Sequence, residues 1–302
     1  MKKIVLSRML VATISLFICI GLTYAGESRV SFQTNDGTTL SGILTTADQP
    51  QALMLVVHGL QSHAEWFLSR GYLAEHGITT LAFDRRGSGY SGGVRGHANS
   101  SEELLDDLAS AYKELKKYGP DLPIHLHLNC FATRIGFPFI SANPSQFSSM
   151  IVTAPSTHMS PNAEYSESDK STIRWNIFWG KDKKYFHTPL SDELFVTNLE
   201  GLEWIKNDQL SLRRVTFGFL RTAKTLSDEM KRVIPSLKLP MLLILGEKDL
   251  IVLNDKIETE FYSNYAGEKQ LLKLDSEHAL ELGGDVQRYR EAMTSWVFSR
   301  QR

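Results

Sequence analysis

Residues 28–34 and 39–45 alternate apolar and polar positions on either side of Asn35-Asp36-Gly37, a turn signal. That period of two predicts a β-hairpin at the edge of a sheet, one face in water. The chain then changes character. Ala52-Leu53-Met54-Leu55-Val56-Val57 is a continuous apolar run, as a parallel strand buried on both faces requires. Runs at 78–83, 124–128, 150–153 and 241–245 predict further strands of this kind, 270–274 predicts one more, and stretches of helical period lie between them. The clearest helix spans 100–118, with Leu104, Leu105, Leu108, Ala111, Tyr112 and Leu115 on one face and acids near its start. Strands alternating with helices predict an α/β fold: a mostly parallel central sheet, helices on both faces, and a ligand site beyond the carboxyl ends of the strands. From Ser156 to about Pro235 the alternation lapses into an aromatic-rich, mostly helical segment with Trp175, Phe178, Trp179, Tyr185 and Trp204, which predicts a helical cap inserted over the sheet.

The first residues read differently. Lys2, Lys3 and Arg8 precede an apolar stretch over 9–22, and Thr23-Tyr24-Ala25 offers a cleavage site, so a signal peptide over 1–25 is expected. The stretch falls short of the roughly 20 apolar residues that span a bilayer, which favours cleavage over a retained anchor. Ile18 before Cys19 stands where a lipoprotein signal needs a very small residue. The expected organisation is therefore a signal (1–25), a core in two parts (26–155 and 236–302) and the cap insertion (156–235), in a protein exported to the periplasm or secreted. The net charge is −1 and no basic run or basic-aromatic patch occurs, so nucleic acid is not an expected partner and small-molecule chemistry is. Of the two cysteines, Cys19 leaves with the signal. Cys130 then has no partner for an internal disulfide, and is either a small buried hydrophobe or a thiol kept for its reactivity.

Three strand ends carry candidate chemistry. Val57 runs into His58-Gly59-Leu60-Gln61, a loop able to aim the Leu60 amide at a developing oxyanion. Phe83 runs into Asp84-Arg85-Arg86-Gly87-Ser88-Gly89-Tyr90-Ser91, which lacks the spacing of a nucleotide-binding loop and reads as a structural loop fixed by Asp84 and the two arginines. Leu128-Asn129-Cys130-Phe131-Ala132-Thr133 breaks from strand directly into helical pattern, the context of a nucleophile elbow, with the Phe131 amide as second oxyanion donor. Asp249 follows the strand at 241–245 and His278 follows the strand at 270–274, completing the order nucleophile, acid, base. His125 and His127 alternate along a strand without a third ligand at suitable spacing, so a metal site is a weak alternative; His58, His63 and His97 fall in loops near the expected mouth.

On these residues the chain resembles the monoacylglycerol-lipase-like, or lysophospholipase-like, group of α/β-hydrolases of the serine aminopeptidase S33 type. His58-Gly59-Leu60 matches that group's oxyanion loop, Asp84, Gly87, Gly89 and Ser91 match its Asp-x-x-Gly-x-Gly-x-Ser loop, and 128–155 is similar to its elbow, helix and next strand. Asp208-Gln209-Leu210 followed by Arg213-Arg214-Val215-Thr216 is similar to a cap-helix pattern of bacterial members. The departures fall at the elbow, where Leu128, Asn129, Cys130, Ala132 and Thr133 replace Gly, His, Ser, Gly and Gly. Elbow glycines let strand and helix approach closely, so Leu128 predicts a relaxed or displaced elbow, and Pro138 predicts a kink in the helix that follows.

Two classes of function follow. The resemblance implies a cofactor-free hydrolase or acyltransferase with Cys130, His278 and Asp249 as triad, acting on carboxylic esters of apolar acyl groups such as monoglycerides or lysophospholipids. The cap aromatics suit such a group and a contact with a membrane surface. The degraded elbow implies the other class, a catalytically silent protein that binds an apolar ligand.

Overall fold

The computed structural model describes residues 26–300; the expected signal over 1–25 lies outside them. Among the described residues ten strands and eight helices form, and eight of the strands join one sheet. The hairpin strands β1 (Glu27–Gln33) and β2 (Thr39–Thr45) pair antiparallel at one edge, and β2 pairs antiparallel with β4 (Ile78–Phe83). All remaining pairs of this sheet are parallel: β4 with β3 (Ala52–Val57), β3 with β5 (Ile124–Asn129), β5 with β6 (Ser149–Thr153), β6 with β9 (Met241–Gly246) and β9 with β10 (Lys269–Leu274).

β3 and most of β9 read as unbroken apolar runs because both faces of the sheet are covered, whereas β4 and β5 bury Thr79, Thr80, His125 and His127 among their apolar residues. Their side chains alternate between two layers. Leu53, Leu55 and Val57 of β3 join the layer made with α2 (Ser101–Lys116) and α3 (Ala132–Ala142), whereas Met54 and Val56 face α1 (Arg70–Glu75) and α8 (Val286–Phe298). On β5, Leu126 and Leu128 take the first layer, which turns His125 and His127 into the second. There His125 Nδ1 lies 2.8 Å from Ser149 Oγ and His127 Nε2 lies 3.0 Å from Tyr289 Oη, so both serve as hydrogen-bonded core residues. α2 starts where Ser100 caps the Glu103 amide, with Glu102 and Glu103 in its first turn and Lys113 and Lys116 in its last, all favourable to its dipole.

The chain passes from β3 out to β4 and returns to the other side of β3 as β5. This reversal opens a crevice above the carboxyl ends of β3 and β5, the place where open α/β sheets bind ligands. The stretch beyond β6 holds α4 (Glu167–Phe178), α5 (Leu199–Asn207) and a small antiparallel pair, β7 (Tyr185–His187) with β8 (Arg214–Thr216), so it is less purely helical than its pattern predicts, and β8 corrects the cap helix expected there. The following α6 (Phe217–Val233) buries Phe219, Ala223, Leu226 and Met230 in the layer it shares with α3. A short helix α7 (Asn254–Lys256) leads into a π-helical turn, Ile257–Tyr262.

Candidate active site

Cys130 sits between β5 and α3 with φ at +48°. A side chain in the left-handed region costs about 1–3 kcal/mol, and surrounding bonds must hold it there. They do: the Cys130 amide donates to Thr153 O at 2.9 Å, and its carbonyl accepts from Thr133 N at 3.1 Å and Thr133 Oγ1 at 2.7 Å. The elbow is thus tight, contrary to the relaxed turn that Leu128 predicts. The reason lies across the interface. A Cβ at Gly136 would stand 2.4 Å from Leu128 Cδ1, so the missing side chain that permits close approach of strand and helix has moved from the strand to the helix. Pro138 lies inside α3, which runs on to Ala142.

His278 follows β10 and is buried, and its Nδ1 donates to Asp249 Oδ2 at 2.7 Å. The other carboxylate oxygen of Asp249 accepts from the amides of Ile251 at 2.7 Å and Val252 at 3.1 Å, which fixes the carboxylate plane. Burial by itself disfavours the imidazolium, but the combined pull of Asp249 and of the Cys130 sulfur outweighs it and lifts the His278 pKa to about 10. The site therefore favours a proton on His278 beside Cys130.

The loop after β3 passes directly over Cys130: a Cβ at Gly59 would be 3.6 Å from Cys130 Cβ. Among the described residues, the amides of Leu60 and Phe131 donate to no acceptor, as expected of a pair kept for an oxyanion. Arg85, fully buried, holds this loop by donating from Nη2 to Gly59 O at 2.7 Å and Leu60 O at 3.2 Å. Its guanidinium also lies 5.1 Å from the Phe131 ring. Asp84 ties the neighbouring loops together, accepting from the amides of Ala64 at 2.7 Å and Tyr90 at 2.9 Å. Gly89, at φ +47°, leaves the room that this carboxylate fills; a Cβ there would meet Asp84 Cγ at 2.2 Å.

Cys130 and His278 line a cavity of about 50 Å³, and Leu190 and Phe195 from the stretch beyond β6 line it as well. One water needs roughly 10–15 Å³, so the cavity has room for a few waters or a small substituent. The cap is pinned beside it. Asp208 accepts from His63 Nε2 at 2.9 Å and Trp66 Nε1 at 2.7 Å, and these bonds, with Ser211, outweigh burial and hold its carboxyl well below the usual range. Gln61 Nε2 donates to Asp192 Oδ1 at 2.7 Å.

All five residues read from sequence, Leu60, Cys130, Phe131, Asp249 and His278, thus gather at the carboxyl edge of the sheet. His58 and His63 line the cavity as well, whereas His97 bonds Thr216 Oγ1 at 2.7 Å outside it. Sequence reasoning missed the role of Arg85 as a clamp and the Asp208–His63 bond, and it assigned nothing to Glu281, which also lines the cavity. The only signal for the clamp was two arginines in a loop beside the site; for Glu281 it was a carboxylate three residues after His278.

A family model for the serine aminopeptidases, S33, matches residues 48–279, a span holding every one of these five side chains. An uncharacterised abhydrolase domain-containing protein of Dictyostelium discoideum is 26% identical over 236 residues, which cover 76% of this chain; the chain spans 24% of that relative's length. Among solved structures, the monoacylglycerol lipase of Paleococcus ferrophilus aligns with a TM-score of 0.72 at 18% identity, covering 91% of this chain and 99% of that one. A soluble variant of the Saccharomyces cerevisiae monoglyceride lipase, in complex with a substrate analogue, aligns at 0.77 and 15% identity, covering 92% and 98%. A thermostable carboxyl esterase of Bacillus coagulans, in complex with glycerol, aligns at 0.75 and 15% identity, covering 92% and 100%. At these identities the solved structures establish a shared fold, and the family match does the rest: the chain belongs to the serine aminopeptidase S33 family of α/β-hydrolases.

Proposed function

We propose that the protein hydrolyses carboxylic esters through Cys130, with His278 as base and Asp249 as its orienting acid. The observation that supports this reading is the meeting of three strand ends: Cys130 and His278 line one cavity, Asp249 bonds His278 from behind, and two unused amides lie beside them. In the reaction, His278 holds the proton that Cys130 gives up, and the sulfur attacks the acyl carbonyl carbon. The charge on the carbonyl oxygen falls to the Leu60 and Phe131 amides. Collapse expels the alcohol, which takes the proton from His278 and leaves a thioester on Cys130. Water, losing a proton to His278, attacks the thioester; the acid departs and the thiol is restored. An alcohol in place of that water makes the protein an acyltransferase.

A cavity of about 50 Å³ suits a short acyl group, and a monoglyceride or lysophospholipid chain requires it to widen beside Leu190 and Phe195. Contact with a lipid surface belongs to the same reading, because α4 buries no residue and Trp175, Phe178 and Trp179 stand exposed beside Lys181, Lys183 and Lys184. Co-sedimentation with anionic vesicles, lost in Trp175→Ala/Phe178→Ala, tests that contact.

Hydrolysis of 4-nitrophenyl acetate and butyrate by the chain from Gly26 onward, beside Cys130→Ala under reducing conditions, tests the chemistry. The expected outcome is turnover that falls by several orders of magnitude in the variant, with a thioester mass adduct on the wild type. Two equally inert proteins would overturn the reading and leave a catalytically silent binding protein in its place.

A further inference from the structure

The cavity beside Cys130 is lined by the loop after β3 and the segment after His278, and Val56 and Ala82 bring it to the sheet. Three of its lining residues carry a buried polar atom with no hydrogen-bond partner among the described residues: His63 Nδ1, His127 Nδ1 and Glu281 Oε1. His63 and His127 are only 2% and 1% exposed. A buried polar atom left unpaired costs about 1–3 kcal/mol, so three around one cavity call for an occupant that bonds them.

Their chemistry says which kind. His63 Nε2 bonds the Asp208 carboxylate, which also accepts from Trp66 and Ser211, so Nε2 is the donor and Nδ1 is the ring atom left without a partner. Glu281 accepts the Ser69 hydroxyl through Oε2 at 2.7 Å, and its free atom is the other carboxyl oxygen. His127 uses Nε2 with Tyr289, and either tautomer leaves Nδ1 to face a partner. Of the three, the carboxyl oxygen is the acceptor that asks for a donor, and the two imidazole nitrogens flank the same cavity.

We infer that the inner cavity is a recognition pocket for the acyl part of the substrate, and that this acyl group is short and ends in a hydrogen-bond donor, a hydroxyl or an ammonium, held by Glu281, His63 and His127. The inference rests on Cys130 as the acyl acceptor. A group held at the sheet side of the cavity by these residues stays with Cys130 as the acyl half of a thioester, while the alcohol departs past Leu190 and Phe195. Burial raises the Glu281 pKa to about 7, and a bound ammonium would hold the carboxylate ionised.

Three matched 4-nitrophenyl esters decide it: propanoate, 3-hydroxypropanoate and the β-alanine ester. The expected result is a kcat/KM for at least one donor-bearing ester roughly tenfold or more above propanoate, because sites built to hydrogen-bond a group discriminate strongly against the analogue lacking it. In Glu281→Gln and in His127→Phe, each checked for a cooperative thermal transition, that ratio should collapse toward one. Preference for the ammonium assigns the pocket to aminoacyl groups, and preference for the hydroxyl to hydroxyacyl groups. Equal turnover of all three esters overturns the inference while leaving the hydrolase reading intact. If no ester turns over, the hydrolase reading fails, and calorimetry on Cys130→Ala with propanamide, 3-hydroxypropanamide and β-alaninamide still decides recognition: selective binding of a donor-bearing amide supports the pocket, and its absence overturns it.

Discussion

Arg85 holds a positive charge inside the protein, with burial lowering its pKa only to about 10, so it stays charged at neutral pH. Its guanidinium grips the carbonyls of Gly59 and Leu60 and lies against the ring of Phe131, which joins both amides of the candidate oxyanion pair through one side chain. Arg85→Met keeps the bulk and removes the grip. Steady-state kinetics should then show kcat down by roughly ten- to a hundredfold with little change in KM, somewhat less than the loss of a whole oxyanion donor. A change in KM alone would assign Arg85 to substrate binding instead. Asp249 acts on the neighbouring imidazole. His278 has a raised pKa, so its proton is fully held below neutral pH and lost as pH rises through about 10. Asp249→Asn removes the stabilising charge, and the alkaline limb of the kcat/KM profile should move to lower pH. Cys130, Asp249 and His278 were legible in the sequence because each follows a strand, in the chain order of the fold. Arg85's clamp and the His63–Asp208 bond were not, since their partners lie far off in the chain and only the folded sheet edge brings them together.

At the scale of elements, the packing of β5 on α3 turns on one exchange. The elbow glycine expected at 128 is a leucine, and Gly136 supplies the clearance instead. Gly136→Ala would drive a methyl into the Leu128 side chain, and overpacking of this kind costs about 1–3 kcal/mol. Leu128→Ala alone opens a cavity at a cost of about 2–5 kcal/mol. The double variant should recover part of both losses, and chemical denaturation of the four proteins measures the coupling; strict additivity would mean that the two positions do not compensate. The apolar run 52–57 was readable as a strand because burial on both faces favours such a composition, and 78–83 remained readable although it buries Thr79 and Thr80. The β7–β8 pair was not, because three residues are too few to show a period, and their pairing depends on how the cap folds back.

For the whole molecule, pH acts through histidines held neutral in the interior. Burial lowers the pKa of His125 to about 4 and of His127 to about 3, and pushes His58 well below its ordinary value. The unfolded chain binds protons near pH 6.5 where the native protein does not, so this stability is complete above that pH. Below it, each such histidine loses about 1.4 kcal/mol for every pH unit until its native pKa is reached. Glu281 opposes the trend over part of the range: its raised pKa favours the native state at acid pH, and that contribution fades as pH rises through about 7. Thermal melts should therefore show a steep fall in Tm below about pH 6. His125→Gln, which retains a group able to bond Ser149, should move the acid midpoint to lower pH; an unmoved midpoint would exclude His125 as a contributor.

Cys130 is the sole cysteine between Gly26 and Arg300 and only 5% exposed beneath the cap. Any reagent that alkylates it must pass the side chains of Leu190 and Phe195, so modification at one sulfur reports on how freely that stretch moves. A small alkylating agent and a bulky maleimide, compared by intact mass against time, sample openings of different width, and the ratio of their rates is a ruler for how far the cap travels. Tethering the cap to the loop after β3 should slow the large reagent first.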